Sequence, residues 1–535
     1  MYNKSDFGSK AEALCETVNS TVTSEISGEY IIPDYIPDAE KILLTLATPK
    51  IDGQFIEENR IDYEGSVHYT ILISTENNKL KSIGYTEPFE GSIEADGVTD
   101  ECFAYIMPRA RSVNARLINP RKIGIKTALE TECRIYCGKD TTPETEGSDS
   151  LDDEMDIELD SEQRETLNIL AAQENGIKVS EDIELDSGSP TISEIIMCWV
   201  TMCPIDLRAH DGEAEVKNDA VFNCIYETED GNFNYITKKL PLSHTLEIEN
   251  LPCDCDCTTS TDVGSVKAAV QENSYGERRL IELDFEYDLN VTCFCSRETS
   301  VVKDMYSTGY ESSASYSVLN TISFKRAYNT NLSVNASKPR GEVDAEKIKN
   351  IFTGDISIRD VKTTYNPEKG KLYTDGSAVI HIVGENDILV ENEKLFTACE
   401  FEYPFRCETD ASDSMDNCEF MTTVNILSER FRLDSSNVFV DFEIGIKMAV
   451  LQNEEISCIS KLSIDKNSPA SHASAPVTLY YPESGERLWD IAKRYKTTKA
   501  AVMNANAMVS ENLDGKNVVI IPKSKGRKQI YSKII

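Results

Sequence analysis

The sequence predicts a mostly β protein, with three repeated β-sandwich-like domains followed by a small βααβ unit. Three observations predict this. Alternating apolar and polar runs, bounded by Gly, Asn, Asp and Pro, dominate most of the chain. A long internal repeat puts those runs in order. The last segment then changes its apolar period from that of a strand to that of a helix.

The repeat is clearest in a central hairpin. Gly65-Ser66-Val67-His68-Tyr69 falls on Asn218-Asp219-Ala220-Val221-Phe222 and on Gly376-Ser377-Ala378-Val379-Ile380. The starts lie 153 and 158 positions apart (65 to 218, 218 to 376). A period this long is a whole domain and not a solenoid turn. Each copy closes on two long alternating runs, 112–117 with 122–136, 265–271 with 279–295, and 422–431 with 438–450. The expected domains are therefore 28–138, 191–296 and 345–455, each a β-sandwich or open barrel.

The segments between them read as connectors. Residues 139–190 form an acidic linker, because DSLDDEMDIELD has high charge and no aromatic. A short helix is expected inside it over Glu162 to Gln173, around LNILAAQ. Residues 297–344 are rich in Ser, Asn and Tyr and read as a linker, with a loop or hairpin around Tyr306 to Tyr316. Residues 456–476 end in the small-residue run SPASHASAP and read as a hinge.

The unit at 477–524 starts with a β-branched and aromatic run, Val477 to Tyr481. A turn at Ser484-Gly485 leads to an amphipathic helix carrying Leu488, Ile491, Ala492 and Tyr495. A second short helix, from about Thr498 to Asn506, precedes Asp514-Gly515 and a closing strand, Val518 to Ile521, stopped by Pro522. The tail, 525–535 with Lys523 just before it, is basic in a very acidic chain. It reads as a solubilising end, a contact for an acidic partner, or a segment that docks on the chain's own acidic spacer.

Bulk composition narrows the function. The formal net charge of −38 argues against nucleic acid or an anionic membrane as main partner, since both would be repelled. The opening MYNKSDFGSKAEAL has no apolar core, which predicts no signal peptide, and no apolar run is long enough to predict membrane insertion. A cytoplasmic setting is expected, with the 16 cysteines mostly reduced. No nucleophile elbow, zincin motif or phosphate-cradling Gly loop accompanies the five His, so no enzyme and no cofactor are expected.

Cys253, Cys255 and Cys257 share one face if that run is a strand, with Cys293 and Cys295 downstream. Three readings stay open: packed or free thiols, a cross-linking or redox site, and a thiolate cage for a soft metal such as zinc. Cys102 and Cys418 lie at comparable places in the first and third repeats.

Gly485, Leu488-Trp489-Asp490-Ile491-Ala492, Asn506, Gly515 and Ile521-Pro522 resemble a LysM domain. LysM modules bind N-acetylglucosamine polymers through loops beside the helix starts. Here Gly485-Glu486-Arg487 replaces the usual Gly-Asp-Thr, and Tyr481-Pro482-Glu483 crowds the turn. Pro33-Asp34-Tyr35-Ile36-Pro37-Asp38 and Asn119-Pro120-Arg121-Lys122 resemble phrases of SPOCS-type repeats. SPOCS-type domains followed by a LysM resemble the spore-coat morphogenetic family.

The resemblance implies a non-enzymatic adaptor at the forespore surface, in the mother-cell cytoplasm. Its LysM would bind the coat-basement ATPase SpoIVA, and the β domains would organise other coat proteins. The expected contact residues are Glu486, Arg487, Asp490 and Asn506, with Trp489 and Ile491 supporting the fold or an apolar patch. Two rival readings are a peptidoglycan-binding protein and a lattice that self-associates through strand edges.

Overall fold

The computed structural model describes residues 6–7, 12–146, 156–253, 255–386, 396–470, 477–513 and 518–522. Three β-sandwiches make up the body, and all three share one topology. In the first, β2 (Glu12–Ile31) follows a two-residue β1 (Asp6–Phe7). Next come β3 (Ala39–Glu57), β4 (Arg60–Thr75), β5 (Leu80–Glu94), β6 (Phe103–Asn119) and β7 (Lys122–Asp140). One sheet has the order β3-β4-β5 and the other β2-β7-β6.

A three-residue β8 (Glu144–Glu146) leads on to the second sandwich. Its strands are β9 (Ile157–Glu184), β10 (Ile192–His210), β11 (Glu213–Thr228), β12 (Phe233–Glu247), β13 (Asp256–Gln271) and β14 (Leu280–Ser307). The third has β15 (Tyr310–Pro339), β16 (Ile348–Asn366), β17 (Lys371–Asn386), β18 (Phe396–Asp410), β19 (Cys418–Leu433) and β20 (Asn437–Pro469). Their sheets repeat the first pattern: β10-β11-β12 with β9-β14-β13, and β16-β17-β18 with β15-β20-β19.

Each sandwich is closed by period-two patterning. In β4, Ile61, Tyr63, Val67, Tyr69, Ile71 and Ile73 point inward onto Ile123, Ile125, Leu129 and Ile135 of β7. Ala214 to Tyr226 of β11 and Ala378 to Ile382 of β17 do the same in their own cores. The repeated glycine has a packing reason. A Cβ on Gly65 would meet the Phe89 ring at 2.5 Å, and one on Gly376 the Phe405 ring at 2.5 Å. Both rings come from the residue directly across the ladder.

The three sandwiches pack on one another through three shared apolar layers among the described residues, a small one of Ala13, Cys15, Val301, Leu319, Ile456 and Cys458 and two larger ones. One gathers Leu43, Leu44, Leu72 and Leu80 with Ile196, Met197 and Ile225 and with Val383 and Phe396. Leu72, Ile225 and Val383 are 153 and 158 positions apart (72 to 225, 225 to 383), so one repeat position faces the junction in every domain. The other layer joins Leu14 and Tyr136 to Ile169 and Phe294 and to Ile322 and Leu451. Burying each such side chain contributes about 1.5–3 kcal/mol.

Polar contacts fix the register of the packing. Lys50 pairs with Asp288 at 2.6 Å between the first and second sandwiches. Arg134 binds the Phe420 carbonyl at 3.2 Å and lies 3.7 Å from both Glu16 and Glu419, between the first and third.

Three connector readings are overturned. The helix expected over 162–173, within the acidic linker 139–190, is the middle of β9, which pairs with β14 from Ile157↔Ser307 to Glu184↔Leu280. Thr166 to Leu170 are all buried because both strand faces are covered, so the run loses the alternation that marks a strand. The linker 297–344 is instead the end of β14, all of β15 and the approach to β16. Most of the hinge 456–476 is the end of β20.

Each sandwich therefore begins earlier than its repeat suggested, at β2, β9 and β15 and not at 28, 191 and 345. Residues 147–155 and 471–476, with the basic tail, lie outside the described residues.

The two quoted SPOCS phrases meet in space. The Arg121 guanidinium reaches the carbonyls of Ile32 and Ile36, and Ala39 N–H donates to the Pro120 carbonyl at 2.9 Å. One phrase thus clamps the loop formed by the other. No helix among the described residues is long and apolar enough to cross a membrane.

Candidate functional site

The C-terminal unit is built from β21 (Val477–Tyr480), α1 (Leu488–Arg494), α2 (Lys499–Ala505) and β22 (Val519–Pro522). β21 and β22 pair antiparallel, from Val477↔Pro522 to Tyr480↔Val519. Leu488, Ile491, Val502, Leu513, Val519 and Ile521 form its core. Gly485 has φ +84°, a left-handed conformation that favours glycine, and this turns the chain into α1. Thr498 caps α2 by accepting the Ala501 N–H at 3.0 Å.

The six expected contact residues divide into two groups. Arg487 and Asp490 face solvent and pair with each other at 3.0 Å. The other four hold the structure together. Glu486 accepts the Tyr480 hydroxyl at 2.7 Å and pairs with Arg494 at 3.0 Å, so its carboxylate braces the turn. Asn506 donates to the carbonyls of Val502 and Ile520 at 2.8 and 2.6 Å and accepts the Ile520 N–H at 2.7 Å, tying α2 to β22. Ile491 lies in the core.

Trp489 is buried, but not in the core of its own unit. Its ring meets Tyr306 of β14 edge-on with centroids 4.9 Å apart. Its indole N–H donates to Asp304 at 2.8 Å. Lys493 Nζ donates to the same carboxylate at 2.7 Å, and so does the Tyr316 hydroxyl. Burial pushes the Asp304 carboxyl up, but the hydrogen bonds from Lys493, Trp489 and Tyr316 outweigh it and hold the group below the usual carboxylate range. Tyr306 also donates its hydroxyl to the Thr497 carbonyl at 2.6 Å. Lys496 pairs with Glu311 at 3.3 Å, and Arg487 with Asp160 at 3.4 Å. The unit is thus seated on a stem formed by the ends of β9, β14 and β15.

A cleft of about 520 Å³ remains open beside this contact. Its walls are Pro482 to Leu488 on one side and Glu511 to Leu513 on the other, and Asp160 of the stem closes one end. No sequence feature pointed to Asp160, Asp304 or Tyr306, because all three fell in segments that read as linkers.

Residues 38–118 match the family model described as SipL, SPOCS domain, and residues 483–522 match the LysM domain model. The chain is therefore similar to the SPOCS domain over the first stretch and to the LysM domain over the second. No curated protein and no solved structure matches it. The SPOCS match spans β3 to β6, the meander and fifth strand of the first sandwich. The second and third sandwiches repeat its topology beyond the matched residues. SPOCS and LysM domains are binding modules and not catalytic ones, and the chain is similar to them over the matched residues.

Of the three readings left open for these cysteines, the thiolate cage does not hold. Cys255 is disulfide-bonded to Cys295, and Cys257 to Cys293. Antiparallel pairing of β13 with β14 sets Cys257 directly opposite Cys293, so the thiols join in pairs across the ladder and do not converge on one point. Cys253 is exposed and unpaired. No cluster among the described residues has the makings of a metal site. Cys102 forms a third disulfide with Cys137. It lies 153 and 158 positions from the Cys255–Cys295 pair (102 to 255, 137 to 295), so the first two domains share one cross-strand bond. Cys418 sits opposite Gln452, so the third domain lacks it.

Proposed function

We propose that this chain is a non-enzymatic adaptor of the spore coat whose LysM module binds a protein, the coat-basement ATPase SpoIVA. Its three-domain body would present surfaces to other coat proteins, in the mother-cell cytoplasm at the forespore surface. One observation carries the reading. The module's aromatic side chain, Trp489, and its cations Arg487, Lys493 and Lys496 already form a protein–protein contact of mixed aromatic and charged character. Such a centre with a charged rim suits protein recognition. The SipL-type SPOCS match supports the sporulation setting.

A second reading, binding of peptidoglycan, is favoured by the open cleft between the two LysM loops. Its walls bear Glu483, Glu486, Arg487 and Glu511, a charged lining for an uncharged sugar backbone.

Pull-down from sporulating-cell lysate with the full chain, beside sedimentation with purified peptidoglycan, tests the choice. Recovery of the ATPase, with loss on Arg487→Glu, supports the adaptor. Sedimentation with wall and no protein recovered makes the chain a glycan-binding protein.

A further inference from the structure

The stem contact has the composition of a recognition site. Asp304 receives three donors from two elements: the Trp489 indole, the Lys493 ammonium and the Tyr316 hydroxyl. Tyr306, two residues on along the same strand face, fills the space beside Trp489 and bonds the Thr497 carbonyl. Met305, between them, points into a separate apolar cluster with Val302, Ile459 and Leu462. On the module side the contact is cationic, with Arg487, Lys493, Lys496 and Lys499. On the stem it is acidic, with Asp160, Asp304 and Glu311.

Among the described residues Trp489 is not part of the apolar core of its own module, and Lys499 is the module side chain that lies over its ring. A large aromatic left outside so small a core would be exposed if the module came off the stem. The module therefore carries a surface made to be covered, and the stem shows what covers it: an extended segment with a carboxylate and an aromatic two residues apart.

We propose that the α1 face of the LysM module, centred on Trp489 and Lys493, is a binding surface for an acidic, aromatic strand segment of a partner protein. The Asp304-Met305-Tyr306 run is its internal occupant, which a partner must displace. This rests on the adaptor reading and adds to it the class of segment recognised and an internal competitor. The competition lowers the apparent affinity by the fraction of chains in which the module is released. Substitutions that weaken the stem contact alone therefore strengthen partner binding, while those on the module side weaken both.

Fluorescence of the full chain tests this without the ATPase. The chain has two Trp, so a Trp199→Phe background leaves Trp489 as the reporter. Asp304→Ala with Tyr306→Ala in that background is expected to raise the released population about tenfold or more, since a buried charge pair and its aromatic neighbour are lost together. Acrylamide quenching of Trp489 then increases. Lys493→Ala, a change at a half-buried position on the module side, gives the same direction and controls for misfolding of the stem.

A synthetic peptide of sequence Val-Val-Lys-Asp-Met-Tyr-Ser-Thr, added to the released variant, restores protection. The same peptide with Asn for Asp and Ala for Tyr does not. Unchanged quenching in both variants overturns the proposal, as does equal protection by the two peptides. If the fluorescence behaves as expected and the ATPase still fails to bind, the adaptor reading falls while the surface and its internal occupant stand.

Discussion

The SPOCS body and the LysM module bury their aromatic residues differently. Tyr69, Tyr136 and Phe222 lie inside cores or junctions that their own sandwiches help to build. Trp489 is covered by a residue of another domain, Tyr306, by the carboxylate that its indole binds, and by Lys499 of its own module. The body is thus held by apolar layers shared among three domains. The module is self-sufficient in its small core and is seated by charge. The first kind of contact is insensitive to salt, and the second weakens as salt screens it. This difference suits a rigid platform carrying a releasable reader.

The largest effect should come from the polar centre between the first and third sandwiches. Arg134→Ala leaves Glu16 and Glu419 facing each other without a cation and is expected to cost about 3–5 kcal/mol. Urea unfolding measures it. A loss under about 1 kcal/mol would mean that the Arg134 centre adds little to the contact between the first and third domains. Ile225→Ala opens a cavity where three domains meet and should cost about 2–5 kcal/mol, lowering the main thermal transition. Ile491→Ala should melt the LysM module alone and leave that main transition in place. If calorimetry shows both transitions moving together, body and module form one cooperative unit and the contrast drawn above fails.

Removal of a native disulfide costs about 2–5 kcal/mol. Reductant should therefore lower the stability of the first two domains, which carry all three bonds, and spare the third. Peptide mapping under non-reducing conditions checks the pairing, and hydrogen exchange locates the loss.

A pH effect sharpens the contrast further. Burial, and then hydrogen bonding to Glu419, push the Glu16 carboxyl up to about 8, while Glu419 is held low by its donors despite its own burial. The pair holds one proton in the folded chain. Glu16 binds that proton more tightly folded than unfolded, so its contribution is full below the ordinary value of 4.5 and is lost as pH rises toward 8. Glu419 works the other way, and its contribution is lost as pH falls below 4.5. Melting temperature against pH should decline from 5 to 8 in part through this pair, and Glu16→Gln should flatten that decline. The smallest effect is expected at the seat of the module. Arg487→Ala removes surface pairs with Asp490 and Asp160 and should change stability by at most about 1 kcal/mol, while lowering the salt sensitivity of Trp489 quenching.

Much of this architecture was legible in the chain. The repeat at Gly65, Asn218 and Gly376 marks the central strand of each sandwich, and the turn, helix and closing Ile521-Pro522 mark the LysM unit. The first strand of every sandwich was not legible. β2 pairs with β7 in a register running from Glu12↔Asp140 to Ile31↔Lys122, so its partner is far away in sequence. β9 carries apolar residues on both faces at the domain junction, where period two vanishes. Of the six LysM contact residues, the sequence placed Arg487 and Asp490 on the surface. It gave no sign that Asn506 and Glu486 spend their polar atoms inside the module.

Local pattern by itself determined strand-rich repeats, a LysM unit, strong acidity and cysteines poised across from one another. Each of these depends on residues within a few positions or on a period, and both survive in one dimension. Tertiary structure alone decided that three sandwiches share apolar layers, that cysteines pair two by two, and that Trp489 is covered by the stem. Those outcomes depend on which surfaces meet after hundreds of residues of chain have closed, and no local pattern encodes such a meeting.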